Sequence, residues 1–113
     1  MKVLIVGSRN IHDFDLSPYV PSDVELIISG GASGVDALAE AYADVHRISK
    51  LILRPRYKRF GKGAPIHRNR EMVELADRVV AVWDGSSRGT AGTVAYAKKL
   101  KKEVTVVTVE LPS

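Results

Sequence analysis

The sequence contains no cysteine among its 113 residues. Disulfide bridges and thiolate metal sites are therefore excluded, although this says little about compartment. No apolar run approaches the ~18 residues that a membrane-crossing helix needs. The opening stretch MKVLIVGSRN is too short for a signal peptide and meets Arg9 at once. Both absences lead us to expect a cytoplasmic protein with no membrane partner. His12, His46 and His67 show no metal-ligand spacing, so no metal site is expected. A GxxxxGK[ST] motif is missing as well, which excludes a P-loop nucleotide hydrolase. Repeats, linkers and low-complexity tracts are not evident, and the length fits one domain.

What is present begins with charge. The net charge is +4, but it is unevenly spread. Seven of the 17 basic residues lie between Arg54 and Arg70, a stretch with no acid, which leaves ten basic against thirteen acidic residues elsewhere. One basic segment on a mildly acidic body implies an anionic partner at one place. The lysines Lys98, Lys99, Lys101 and Lys102 sit where a helix ends, and there they complement its dipole.

Five short apolar runs read as strands: Val3–Val6, Leu26–Ile28, Leu51–Leu53, Val79–Trp83 and Val104–Val109. They are β-branched and show little polar alternation, as strands buried on both faces do. Helical spacing lies between them. One helix is expected from Ser33 to His46 with Ser33 as its N-cap. A second should start after Pro65, and a third should run from Thr90 to Lys101. The segment from His12 to Val20 reads as either a short helix or a loop. Strands alternating with helices predict a Rossmann-like, three-layer α/β/α fold with a mainly parallel sheet of about five strands.

In such a sheet every loop leaving a strand C-terminus lies on one edge, where ligands bind. Four such loops occur here: Gly7-Ser8-Arg9-Asn10, Ser29 to Gly34, Arg54 to Gly63, and Asp84 to Thr90. Each is rich in glycine, hydroxyl or basic residues, and two run straight into helices. A helix N-terminus offers unpaired N–H groups and partial positive charge to a phosphate. Glycine lets backbone approach the anion, hydroxyls add hydrogen bonds, and arginine adds a charged fork. The Ser29–Gly34 segment fits GxGxxG poorly and follows the second strand, so a dinucleotide fingerprint is unsupported.

The motifs GSR, SGGASGVDALAEAYA, GKGAPIHRNREMVELAD and WDGSSRGT, in this order, resemble the SLOG superfamily. The nearest branch is the small YspA/YpsA-related group, and the resemblance covers nearly the whole chain. It implies a Rossmann-like fold that binds nucleotides or nucleotide-derived ligands. By position it implies ligand contacts from Gly7, Ser8 and Arg9, from Gly30, Gly31 and Gly34 with Asp36, from Arg68 and Asn69, and from Gly85, Ser86, Gly89 and Thr90. The LOG phosphoribohydrolases of this superfamily use a glutamate three residues after the threonine. Thr93 stands there in this chain, and Asp84-Gly85-Ser86 replaces Pro-Gly-Gly.

Three functions follow as expectations. The first is a sensor or binding module for a nucleotide or an ADP-ribose-like phosphate ligand, with Ser33 joining the residues above. The second is hydrolysis of an N-glycosidic or phosphoribosyl bond, with Asp84 and Asp36 as the carboxylates beside the glycine loops. Asp36 equally serves the dipole of its helix, and Asp84 equally starts a turn. The third is single-stranded nucleic acid binding, through the basic segment and its rings Tyr57 and Phe60, which equally could cover a core edge. Trp83 is expected in the core. Arg9→Ala and Arg68→Ala are both expected to spare folding. The residues name no cofactor, and a second copy of the chain is a further candidate partner.

Overall fold

In the computed structural model, which describes residues 1–111, five parallel strands form one sheet in the order β3-β2-β1-β4-β5. The strands are β1 (Lys2–Gly7), β2 (Leu26–Ser29), β3 (Ser49–Ile52), β4 (Arg78–Trp83) and β5 (Glu103–Thr108). The helices are α1 (Val35–Val45), the single turn α2 (Tyr57–Phe60), α3 (Ala64–Leu75) and α4 (Arg88–Lys99). The ambiguous segment before β2 holds only a 3-10 turn, Ser17–Tyr19, around Pro18.

Alternation along the central strands builds two cores. Val3, Ile5, Ile27, Val80 and Val82 point to one face, where Val35, Ala39 and Ala43 of α1 pack with Ile11 and Leu16. Leu4, Val6, Ile28, Val79 and Ala81 point to the other, against Met72 and Val73 of α3 and Ala97 of α4. β1 and β4 are therefore apolar at successive positions because each lies between two helical layers. The three-layer expectation holds.

The edges depart from the expected burial. β3 begins at Ser49 rather than Leu51, because Leu26 of the four-residue β2 pairs with Ser49. Its residues Ser49, Lys50 and Leu51 are exposed, and β5 is exposed at Val106. Each edge strand has one neighbour, and the helices cover the middle of the sheet. Lys50 is a charge of the kind that blunts a free edge.

Helix starts also differ. Ser33 is not the N-cap of α1; Gly34 is, with φ 73° and ψ −127°. That conformation is closed to L side chains and breaks the helix before Val35. α3 starts at Ala64, with Pro65 in its first turn, where its missing N–H is harmless. α4 starts at Arg88 rather than Thr90, capped by Ser87, whose hydroxyl accepts from the Thr90 amide.

Gly34 carries a second constraint. A Cβ there would stand 2.4 Å from the Ser8 carbonyl oxygen, whereas one at Gly85, also at positive φ, would meet nothing within 4 Å. Gly34→Ala should therefore destabilise the fold by more than ~2 kcal/mol in urea denaturation, and Gly85→Ala by about 1 kcal/mol of backbone strain alone. Equal losses would show that the Ser8 contact is not limiting.

Candidate functional site

β1 sits between β2 and β4, so the chain crosses over on either side of it, and the strand order reverses there. A crevice opens at such a point beyond the strand C-termini. The crevice here has a volume of ≈ 390 Å³. Gly7, Ser8, Arg9, Asp36, Arg68, Asn69, Asp84, Gly89 and Thr90 all line it, which brings together four chain segments predicted from sequence. A neighbouring cleft of ≈ 410 Å³ holds Gly30, Gly31 and Ser33, and shares Arg9 and Arg68 with the first. Gly34, Gly85 and Ser86 line neither. Gly34 is buried under the first loop, and Gly85 and Ser86 form an exposed turn tip.

Ser8 is 1% exposed and is a knot of backbone contacts. Its N–H donates to the Val82 carbonyl at 3.1 Å, and its carbonyl accepts from Val35 N at 3.2 Å. Its Oγ accepts from Asp84 N at 3.0 Å. The residue thus fixes β4 and α1 against the end of β1. Next to it, Arg9 is exposed and makes no hydrogen bond or ion pair among the described residues.

Arg68, in contrast, is built into the fold. From α3 its Nη1 donates to the carbonyls of Gly30 at 2.8 Å and Leu53 at 3.3 Å, and its Nε donates to Asn69 Oδ1 at 2.8 Å. It laces the ends of β2 and β3 to α3. Arg54 donates to the Gly31 carbonyl at 3.1 Å in the same manner. A Cβ on Gly30 would fall 2.9 Å from Arg68 Nη1, and one on Gly31 would fall 2.8 Å from Arg54 Nη1. These two glycines make room for arginines.

The pKa values of the two carboxyl groups are shifted in opposite directions. Asp84 Oδ1 accepts from the amides of Ser86 and Ser87, both at 2.9 Å. Those amides, with smaller help from Ser8 and Asn10, bring its pKa down to about 2. It is a turn-forming anion at any neutral pH. Asp36 is 8% exposed, and its Oδ2 accepts from Ala32 N at 3.1 Å. Burial pushes its carboxyl above the ordinary value, and this outweighs the Ala32 amide and the positive charge of Arg68.

Around α4, the Ser87 and Thr90 hydroxyls lie 3.2 Å apart at the N-terminus, and Thr93 donates to the Gly89 carbonyl at 2.8 Å. Ser87, Asn10, Ala32 and Thr93 also line the crevice, although the sequence pattern does not single them out as ligand contacts. Ser87 alone has a signal, a hydroxyl residue three places before Thr90 at a helix start. Trp83 is half-buried, and its indole N–H donates to the Ser87 carbonyl at 3.0 Å. Phe60 stacks on His67 with centroids 3.7 Å apart and lies under Arg56 and Arg59. Among the described residues, no group of three histidines and acids stands close enough to hold a metal ion, and no helix is long and apolar enough to cross a membrane.

Comparison with known proteins finds no matching family model, no matching curated protein and no matching solved structure.

The buried charges make two outcomes testable. The expectation that Arg68→Ala spares folding does not suit a side chain that laces two strand ends. We expect a loss of about 1–3 kcal/mol in chemical denaturation, the usual range for hydrogen bonds from a charged group. Stability equal to the parent protein would refute the lacing role. Asp36 binds a proton more tightly in the folded than in the unfolded chain. Its contribution to stability is therefore fullest below pH 3.8 and declines as pH rises through the raised folded value. Asp36→Asn removes this dependence, so its stability relative to the parent should rise from acid to neutral pH. Urea titrations across that range would show it, and a constant difference would count against it.

Proposed function

We propose that the chain binds a nucleotide or nucleotide-derived, ADP-ribose-like phosphate ligand at the carboxyl edge of its sheet, as a cytoplasmic sensor or binding module. The carrying observation is the convergence of Arg9, Arg68 and the N-terminus of α4 on one crevice. Thr90 and the open amides of α4 suit a phosphate, and the dipole adds to them. Arg9 has no internal partner among the described residues, so its guanidinium is free for an anion. A Cβ on Gly89 would meet nothing within 4 Å, so the backbone there faces open space. The resemblance to the SLOG superfamily supports the same reading.

A second reading, cleavage of an N-glycosidic bond, draws on Asp36. Burial raises its pKa while backbone amides lower that of Asp84, so of the two carboxyls Asp36 holds a proton more readily. Water would attack the anomeric carbon, the bond to the base would break, Asp36 would protonate the departing base, and the proton lost by the water would pass back to the Asp36 carboxylate. Thr93 cannot replace the glutamate of the LOG enzymes, since its hydroxyl is committed to the Gly89 carbonyl. Single-stranded nucleic acid has less support, because Phe60 is already covered on its own segment.

Isothermal titration against nucleoside mono- and diphosphates and ADP-ribose tests the main reading. We expect saturable binding that Arg9→Ala weakens by about tenfold or more, the worth of one charged hydrogen bond, with an unchanged melting temperature. Silence across the panel would refute it. Chromatography for free base after incubation with nucleoside monophosphates tests the second reading: release should occur and should vanish in Asp36→Asn. Release that survives the substitution would remove Asp36 from the chemistry.

A further inference from the structure

The crevice does not end at Arg9 and Arg68. Both arginines also line the second cleft, which runs over the ends of β2 and β3 to Arg54, Pro55 and Tyr57. From the N-terminus of α4, which follows β4, this trough crosses three strand spacings, on the order of 14 Å. It is polar and acidic at one end, cationic at its waist and aromatic at the other.

Tyr57 stands apart from the other rings. Phe14 stacks with Tyr19 and Phe60 with His67, and Tyr42 meets His46 at a tilt. Arg70 lies over Tyr96, and the Trp83 indole is bonded to Ser87. Tyr57 is 59% exposed and has neither a ring nor a cation on its face among the described residues. An exposed aromatic ring, flanked by a guanidinium and opening onto a crevice lined by arginines, is the arrangement that stacks a base.

We infer that Tyr57 is the base platform of this site. The ligand lies lengthwise, with its base on Tyr57, a diphosphate bridge at Arg9 and Arg68, and its far end at the N-terminus of α4 beside Asp84. This rests on the phosphate-binding reading above and adds the seat of the base and the ligand's direction. A nucleoside monophosphate fills part of the trough; a nucleoside diphosphate carrying a further sugar fills all of it. Free hydroxyls of that sugar meet the Ser87 and Thr90 hydroxyls.

A groove between α3 and α4, lined by Ile66, Arg70, Arg88, Tyr96 and Lys99, also adjoins the crevice. It is the rival seat for the base. Its aromatic ring is already covered by Arg70, and Arg9 and Arg68 do not reach it.

The test is titration of ADP-ribose and AMP into the parent chain and into Tyr57→Ala, Tyr57→Phe and Tyr96→Ala. Tyr57 is exposed and its side chain holds no hydrogen bond among the described residues, so the alanine variant should fold, which its melting temperature checks. ADP-ribose should bind more tightly than AMP. Tyr57→Ala should weaken ADP-ribose by about tenfold, the usual worth of one stacked base, whereas Tyr57→Phe and Tyr96→Ala leave it unchanged. Loss with Tyr96→Ala but not with Tyr57→Ala would move the base to the rival groove and overturn the inference. AMP binding as tightly as ADP-ribose would overturn the lengthwise pose. Either result leaves the phosphate reading standing, whereas no binding by either compound defeats both.

Discussion

One buried serine holds together the crevice at the carboxyl edge of this sheet. Ser8 closes β1 and in the same step bonds Val82 of β4, Val35 of α1 and Asp84 of the turn before α4. Two chain segments far from Ser8 in sequence, at Val35 and at Val82–Asp84, are thereby fixed around a single residue. The arrangement also explains Gly34, whose backbone must pass against the Ser8 and Arg9 carbonyls with no room for a Cβ. Without that close passage, α1 would start elsewhere and Asp36 would not reach the crevice. The first loop is thus a scaffold, and Arg9 is the part of it with no partner among the described residues.

The basic segment separates into two kinds of charge once it is folded. Arg54 and Arg68 are drawn inward to carbonyls at the ends of β2 and β3. Arg56 pairs with Glu71, and Arg56 and Arg59 lie over Phe60. Concentrated positive charge in the sequence is therefore partly internal mortar, which compensates carbonyls that short strands leave without partners. The electrostatic case for a bound anion narrows to Arg9, the unbonded side of Arg68 and the end of α4. Asp36 belongs to the same balance: a carboxyl held in this concentration of positive charge still has its pKa raised, because burial is the stronger effect.

Much of this architecture is legible in the order of residues alone. Runs such as Val3–Val6 and Val79–Trp83, followed by glycine or Asp-Gly turns, carry the parallel sheet and place four loops on one edge. The sheet's own edges are less legible, because Leu51 and Val106 look like core residues, and only the number of neighbouring strands shows that they are not. The register of β3 is hidden for a related reason: the shortness of β2 chooses the pairing, and apolar content alone would start the strand two residues later. Ser33 illustrates the limit of capping rules. A hydroxyl before an apolar helical pattern is a good signal until the next residue is a glycine held at positive φ by a distant loop. The inward bonding of Arg68 has no sequence signature at all, since an arginine beside an asparagine in a basic stretch looks equally suited to solvent, ligand or carbonyl.

The glycines show what the motif does physically. Gly7, Gly30, Gly31 and Gly34 are crowded by Val35, Arg68, Arg54 and the first loop, so their missing side chains let the protein close on itself. Gly85 and Gly89 face open space instead. Two glycine-rich loops that look interchangeable as phosphate cradles thus have different jobs. The loop after β2 builds a wall by admitting arginines, and the turn before α4, whose own amides are held by Ser8 and Asp84, leaves the Arg88 and Gly89 amides without an acceptor among the described residues. An anion needs both, since a helix end without a wall is a solvated dipole, and a wall without open amides has nothing to offer a phosphate. That division of labour is why the crevice forms at the β1/β4 junction, where the two loops face each other across Ser8.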